Sequence, residues 1–317
     1  MTDNISKEPK PADPAELFEI GEANYLGTMV PRDLNQALKF WRLAADQGFP
    51  PAQNRMAQAY RQGLGVGLDP EESFNWLVKA AETGYSPAQF NLGQSYYYGL
   101  GVEKDLAQAA KCWRLAADQG HDKARCNLAQ AYFIGQGLEK DSVQAVKYWR
   151  LAADNGMVEA QFCLSQAYYQ GQGVEQDLLQ AAVFCSLAAD QGHVHAQQIL
   201  GSFYFNGEGL DQDLEQALKY WRLAAGKGQA EAQFCLSQAY FHGQGVMIDF
   251  DQAFKYCQLA ADQGHAEACF YLWIFYSNGQ GVKQDFDKAR EYLRRSSNRG
   301  FAPASEKLLE LGFSSPH

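Results

Sequence analysis

No stretch of this 317-residue chain approaches the roughly 18 consecutive apolar residues that a helix needs to cross a bilayer, so no membrane insertion is expected. The first residues, Met1 to Pro11, hold no apolar h-region and no cleavage-site pattern, and no secretory signal is read there. Basic residues are few: 27 Lys and Arg stand against 37 Asp and Glu, a net charge of -10. That balance argues against a nucleic-acid partner, since phosphate backbones are held by clustered Lys and Arg. The seven cysteines are odd in number and contain no Cys-x-x-Cys pair. Together these absences point to a reducing, cytoplasmic setting, with signal-less export to a host as the open alternative. Disorder is excluded by the opposite excess, 46% hydrophobic and 13% aromatic residues.

Catalytic signatures are missing too. There is no Gly-x-Ser-x-Gly, and no Cys/His pair whose proximity the register predicts. Glycine-rich segments such as Gly171-Gln172-Gly173 follow a helical pattern and lack the Gly-Lys-Ser/Thr of a phosphate loop, so no nucleotide cofactor is expected. Acidic pairs such as Glu71-Glu72 fall at helix starts, where they suit the dipole and read as solvated. His193-Val194-His195 invites a metal reading, but His121, His193 and His265 share one column just after a helix-ending glycine. There a partly protonated imidazole would suit the negative end of the preceding helix, and no metal is expected.

What the chain has is periodicity. Glycine recurs at Gly48, Gly84, Gly120, Gly156, Gly192, Gly228, Gly264 and Gly300, always 36 residues apart. A second glycine ladder runs from Gly27 to Gly279 and an aspartate ladder from Asp33 to Asp285, both with the same step. Residues 86 to 120 show the unit. Ala88, Leu92, Ser95 and Tyr96 share one helical face, and Gly99-Leu100-Gly101-Val102 then breaks the helix. Asp105 starts the next helix with Gln108 three residues on, a capping-box spacing. Ala109, Trp113 and Ala116 face the first helix, and Gly120 ends the second. Neither helix can bury its stripe alone, so neighbouring hairpins must stack into a continuous core.

The reading is an all-α, right-handed superhelix of eight helical hairpins over residues 13 to 312, closed by a lone helix from residue 302. The first hairpin is worn, with Met29 in place of a loop glycine. Residues 1–12 and 313–317 are read as flexible tails.

The run Ala88-Gln89-Phe90-Asn91-Leu92-Gly93, Tyr96-Tyr97-Tyr98-Gly99-Leu100-Gly101-Val102 and Asp105 through Ala116-Ala117-Asp118-Gln119-Gly120 resembles the Sel1-like repeat. That family lies among the tetratricopeptide-like α-solenoids, and the resemblance covers nearly the whole chain. It implies a scaffold or adaptor, with the first helix of each hairpin lining a concave face. A cysteine-rich branch of the family binds β-lactams with weak hydrolysis. Its paired cysteines, about seven residues apart, are replaced here by runs such as Ala188-Ala189-Asp190-Gln191-Gly192, so no enzyme is expected. A weak hydrolase and a self-associating assembly subunit remain as alternatives to a monomeric scaffold.

The helical wheel separates a second face from the Ala/Leu/Tyr core stripe. It carries Phe90, Gln94, Tyr97 and Tyr98 in one repeat. The next repeats supply Gln130 and Phe133, with Cys126 and Ile134, and then Phe162, Gln166 and Tyr169, with Gln170. Phe205, with Gln198, Ser202 and Asn206, and Phe234, Gln238 and Phe241, with His242, continue it. Amides both donate to and accept from a peptide backbone, and aromatic rings offer large contact area with few rotors, so the face suits a partner protein or extended peptide. The competing reading packs Phe90 and its equivalents between helices and leaves the glutamines as solubilising positions. Cys163 with Cys185, and Cys235 with Cys257, lie 22 residues apart in matching columns; small buried thiols, a disulfide or half a soft-metal site all fit that spacing.

Overall fold

The computed structural model of the protein describes residues 13–312; the two tails read from the sequence, 1–12 and 313–317, lie outside them. Seventeen helices and no strands occur among the described residues. Chain contacts divide them into two units, broken after Met157. The first unit holds four hairpins: α1 (Pro14–Leu26) with α2 (Leu34–Asp46), α3 (Pro50–Gln62) with α4 (Pro70–Glu82), α5 (Ser86–Tyr98) with α6 (Leu106–Asp118), and α7 (Asp122–Ile134) with α8 (Ser142–Asp154). The second holds α9 (Val158–Gln170) with α10 (Leu178–Asp190), α11 (Val194–Asn206) with α12 (Leu214–Gly226), α13 (Ala230–His242) with α14 (Phe250–Asp262), and α15 (Ala266–Asn278) with α16 (Phe286–Asn298). A shorter α17 (Ala302–Glu310) follows, as the terminal pattern predicts.

The ladders act as chain punctuation. Gly99 ends α5 in the left-handed region at φ +72°, and its N–H reaches back to the Ser95 carbonyl. Gly101 is required for another reason: a Cβ there would lie 1.9 Å from the Pro70 carbonyl oxygen, so the loop rests directly on the start of α4. Asp105 caps α6, its Oδ1 accepting from the N–H groups of Ala107 and Gln108, both at 2.9 Å. The reciprocal half of the expected capping box is not made. The Asp105 N–H already donates to the Tyr96 carbonyl across the loop at 2.9 Å, leaving nothing for the Gln108 side chain to accept. The loop valines Val66, Val246 and Val282 are half-buried against the cores of their units.

Small alanines of the second helices let neighbouring helices approach closely. Ala37, Ala44, Ala109, Ala116, Ala145, Ala152, Ala217, Ala224 and their equivalents are fully buried. In the later hairpins the tyrosine of the first helix meets a ring of the second. Tyr168–Phe184, Tyr204–Tyr220, Tyr240–Tyr256 and Tyr276–Tyr292 stack nearly parallel with centroids 5.6 to 6.0 Å apart.

Candidate functional site: the first-helix face

The first-helix face is built over the second helices, and what lies underneath sets its shape. Tyr97, Phe133 and Phe205 each rest on a second-helix tryptophan, with ring centroids 5.4, 5.2 and 5.2 Å from Trp113, Trp149 and Trp221. All three are half-buried. Under α9 the tryptophan is replaced by Cys185, and Tyr169 leans across to stack on Phe203 of α11, 5.5 Å away. It is 40% exposed. Under α13 the equivalent residue is Cys257, and Phe241 turns inward among Phe250, Tyr271 and Phe275.

Two residues expected on this face are core residues. Phe90 and Phe234 are buried, and Phe162 is half-buried. Their column falls on the seam where the residue preceding the next first helix folds back, so each ring is covered by an imidazole. Phe90 pairs with His121, Phe162 with His193 and Phe234 with His265, at centroid distances of 4.6, 4.3 and 4.5 Å. The histidines differ from expectation as well. Each is the N-cap of the helix that follows, its Nδ1 accepting from the N–H of Ala124, Ala196 or Ala268. That role requires an unprotonated Nδ1, so the ring serves the positive end of the next helix rather than the negative end of the last. Burial, ahead of the other causes, pulls the His121 pKa below its ordinary value.

The amide column remains partly open. Gln130 and Gln166 are exposed and Gln94 is half-buried, and none of the three hydrogen-bonds to another described residue. Gln238 is half-buried and accepts from the Tyr271 hydroxyl at 3.4 Å. Tyr98 is 66% exposed, edge-on to Tyr97.

In the first unit, Tyr97, Tyr98, Asn127, Gln130 and Gln136 surround a small cleft of about 120 Å³. The second unit opens wider. A cleft of about 300 Å³ between α9 and α11 is lined by Gln166, Tyr169, Ile199 and Glu208. Another of about 490 Å³ between α11 and α13 is lined by Phe205, Trp221, Glu231, Gln238 and His242. Ser202 and Asn206 line both, so the two clefts adjoin at α11.

Several lining residues went unnoticed in the sequence. Gln136, Glu208 and Gln244 lie between the paired loop glycines, a column that is polar in the later repeats and Leu64 or Leu100 in earlier ones. That switch was the available signal. Glu231 lies in the first turn of α13, where a dipole role hides any other.

Cys112, Cys185, Cys257 and Cys269 are buried, and Cys126, Cys163 and Cys235 are half-buried. Cys185 and Cys257 are buried and donate to the carbonyls of Ala196 and Ala268 at 3.3 and 3.1 Å. Burial pushes the Cys185 thiol up to about 12. Among the described residues no group of three or more His, Cys, Asp or Glu is placed to hold a metal ion, and no helix is long and apolar enough to cross a membrane.

These hairpins define an all-α solenoid, and comparison with known proteins names its kind. The Sel1 repeat profile matches residues 17–49, 50–85, 86–121, 122–157, 158–193, 194–229, 230–265 and 266–301. The chain belongs to the Sel1 repeat family. It is similar to the crystal structure of a protective antigen of uropathogenic Escherichia coli strains displaying an SLR fold, with 32% identity and a TM-score of 0.90. That match covers 94% of this chain and 64% of the antigen's chain, so this chain spans less than two thirds of its length. A Sel1 repeat protein from Oxalobacter formigenes is similar at 31% identity and a TM-score of 0.70, covering 94% of this chain and 86% of that one. No curated protein matches. Sel1 repeat proteins typically mediate protein–protein interaction, and the fold is generally a non-catalytic scaffold.

Proposed function

We propose that the protein is a binding scaffold whose second unit receives an extended segment of a partner protein across the first helices α9, α11 and α13. The observation that carries this is the adjacency of the two clefts, which share Ser202 and Asn206 and set apolar rings beside open amides. Tyr169 and Phe205 supply contact area, while Gln166 and Asn206 can satisfy the backbone groups of a bound strand. In the first unit Tyr98 and Gln130 form a smaller secondary contact. The test is selection of a displayed random dodecapeptide library on the full chain. Selected peptides should lose at least tenfold in affinity with Gln166→Ala or with Ser202→Trp, which fills the shared wall. Affinity indifferent to both changes overturns the groove.

A second reading, self-association, is favoured by α10. It exposes Leu179, Val183 and Leu187, whereas α12, α14 and α16 carry Glu215, Asp251 and Asp287 at the first position and Lys219, Lys255 and Glu291 at the second. Sedimentation of the native chain beside Val183→Lys separates the two: a mass that falls to the monomer only in the variant favours assembly, and a monomer in both favours the scaffold.

A further inference from the structure

We infer that the segment bound in the second unit is basic, carrying two Lys or Arg side chains that answer Glu208 and Glu231. The inference rests on the groove reading above and names the chemistry of its ligand. Glu208 and Glu231 are the acidic residues lining the two clefts, and no Lys or Arg lines either one. Each carboxylate is held in place by hydrogen-bond donors. Asn206 donates its Nδ2 to Glu208 Oε1 at 3.0 Å, and the Tyr169 hydroxyl bonds to the same group. The charge on Glu208 in turn raises the Tyr169 pKa. Glu231 Oε2 lies 2.9 Å from His265 Nε2. The His265 Nδ1 accepts the Ala268 N–H, which leaves Nε2 to donate to Glu231. That hydrogen bond lowers the Glu231 pKa and keeps the group ionised.

Two oriented carboxylates, with no Lys or Arg among the residues lining either cleft, are a charge pattern that a basic ligand would match. The chain's overall charge of -10 reinforces it at longer range. Spacing follows from the helices. Glu231 lies in the first turn of α13, and its counterpart one repeat earlier, His195 in α11, precedes Glu208 by thirteen residues. Along the helix axes the two carboxylates are therefore offset by about 20 Å at 1.5 Å per residue. An extended chain covers that span in about six residues, so the ligand's basic residues should be separated by about that number.

The same dodecapeptide selection, repeated on three forms of the full chain, tests the inference. Peptides selected on the native chain should be enriched in Lys or Arg at two positions about six apart, and should bind at least tenfold more weakly to Glu208→Gln/Glu231→Gln. Glu208→Lys/Glu231→Lys should select Asp- or Glu-bearing peptides instead, a gain of new binding that a misfolded variant cannot produce. Peptides that depend on Gln166 and Ser202 but show no enrichment in Lys or Arg overturn this inference and leave the groove standing. Absence of any peptide that depends on Gln166 or Ser202 overturns both.

Discussion

A Cβ on Gly93 would lie 2.5 Å from both Cδ1 and Nε1 of Trp113, so the indole of α6 is seated directly on the bare backbone of α5. The same fit joins Gly21 to Trp41 and Gly201 to Trp221. Where the second helix carries Cys185 or Cys257, the first-helix position is Ser165 or Ser237, and each serine bonds to a second-helix carbonyl at 2.8 Å. Bulk on one helix is traded for bulk on the other. Gly93→Ala should therefore destabilise the chain by about 1–3 kcal/mol through overpacking. Trp113→Cys should cost more, about 3–5 kcal/mol, by opening a cavity. The paired change Gly93→Ser/Trp113→Cys should cost at least about 1 kcal/mol less than the sum of the singles, as contacting residues do not add. Urea denaturation followed by circular dichroism measures all three.

Phe234 and Gln166 belong to one sequence pattern but should separate cleanly. Phe234 is 4% exposed and covered by His265, so Phe234→Ala should cost about 3–5 kcal/mol of stability. Gln166→Ala removes an exposed amide without an internal partner and should change stability by less than about 0.5 kcal/mol. Thermal melts alongside the peptide assay distinguish a core loss from a contact loss.

Acid should loosen the junction between α6 and α7. Burial holds the His121 pKa below 6.5, with Asp122 acting upward and Lys123 downward. The unfolded chain therefore takes up the proton first as pH falls. The contribution of His121 is complete above its unfolded pKa, declines as pH drops below about 6.5 and is gone below the folded pKa. The Tm of the native chain should fall between pH 7 and pH 5. His121→Asn, which can still cap α7 but does not titrate, should show a smaller fall over that range.

The buried glutamines should resist replacement even though they touch no ligand. Gln89 accepts from the Gln119 side chain at 2.7 Å, and the same bond joins Gln191 to Gln161 and Gln263 to Gln233 at 2.8 Å. Gln89→Leu leaves the Gln119 amide with the Leu115 carbonyl alone and should cost about 1 kcal/mol. The companion change Gln119→Ala should add little on top of it in a double-mutant cycle.

The thiol assignment has a direct chemical check. Cys185 is fully buried, with its thiol pushed up to about 12, and should not react with iodoacetamide at pH 8 in the folded chain. Unfolding in urea without reductant should then allow all seven cysteines to be alkylated, read by intact mass.

Much of the molecule was legible because its determinants are local. The glycine and aspartate ladders placed every hairpin, since a helix end in the left-handed region calls for Gly99 and a capped start calls for Asp105 within one turn of chain. The capping box was misread because the Asp105 N–H is claimed by Tyr96, a contact made across the loop. The site was less legible. Gln130 and Gln166 were found on an open face, but Phe90 and Phe234, in the same helical-wheel sector, are closed over by residues 31 positions later.

The sequence by itself determined the number, length and direction of the helices, because backbone conformation and capping are settled within a few residues. Only the tertiary structure decided which side chains of a given face meet solvent. That outcome depends on the partner underneath, tryptophan or cysteine, and on the imidazole folding back from the next hairpin. Exposure is a property of neighbours, and in a stacked repeat those neighbours come from the adjoining helices.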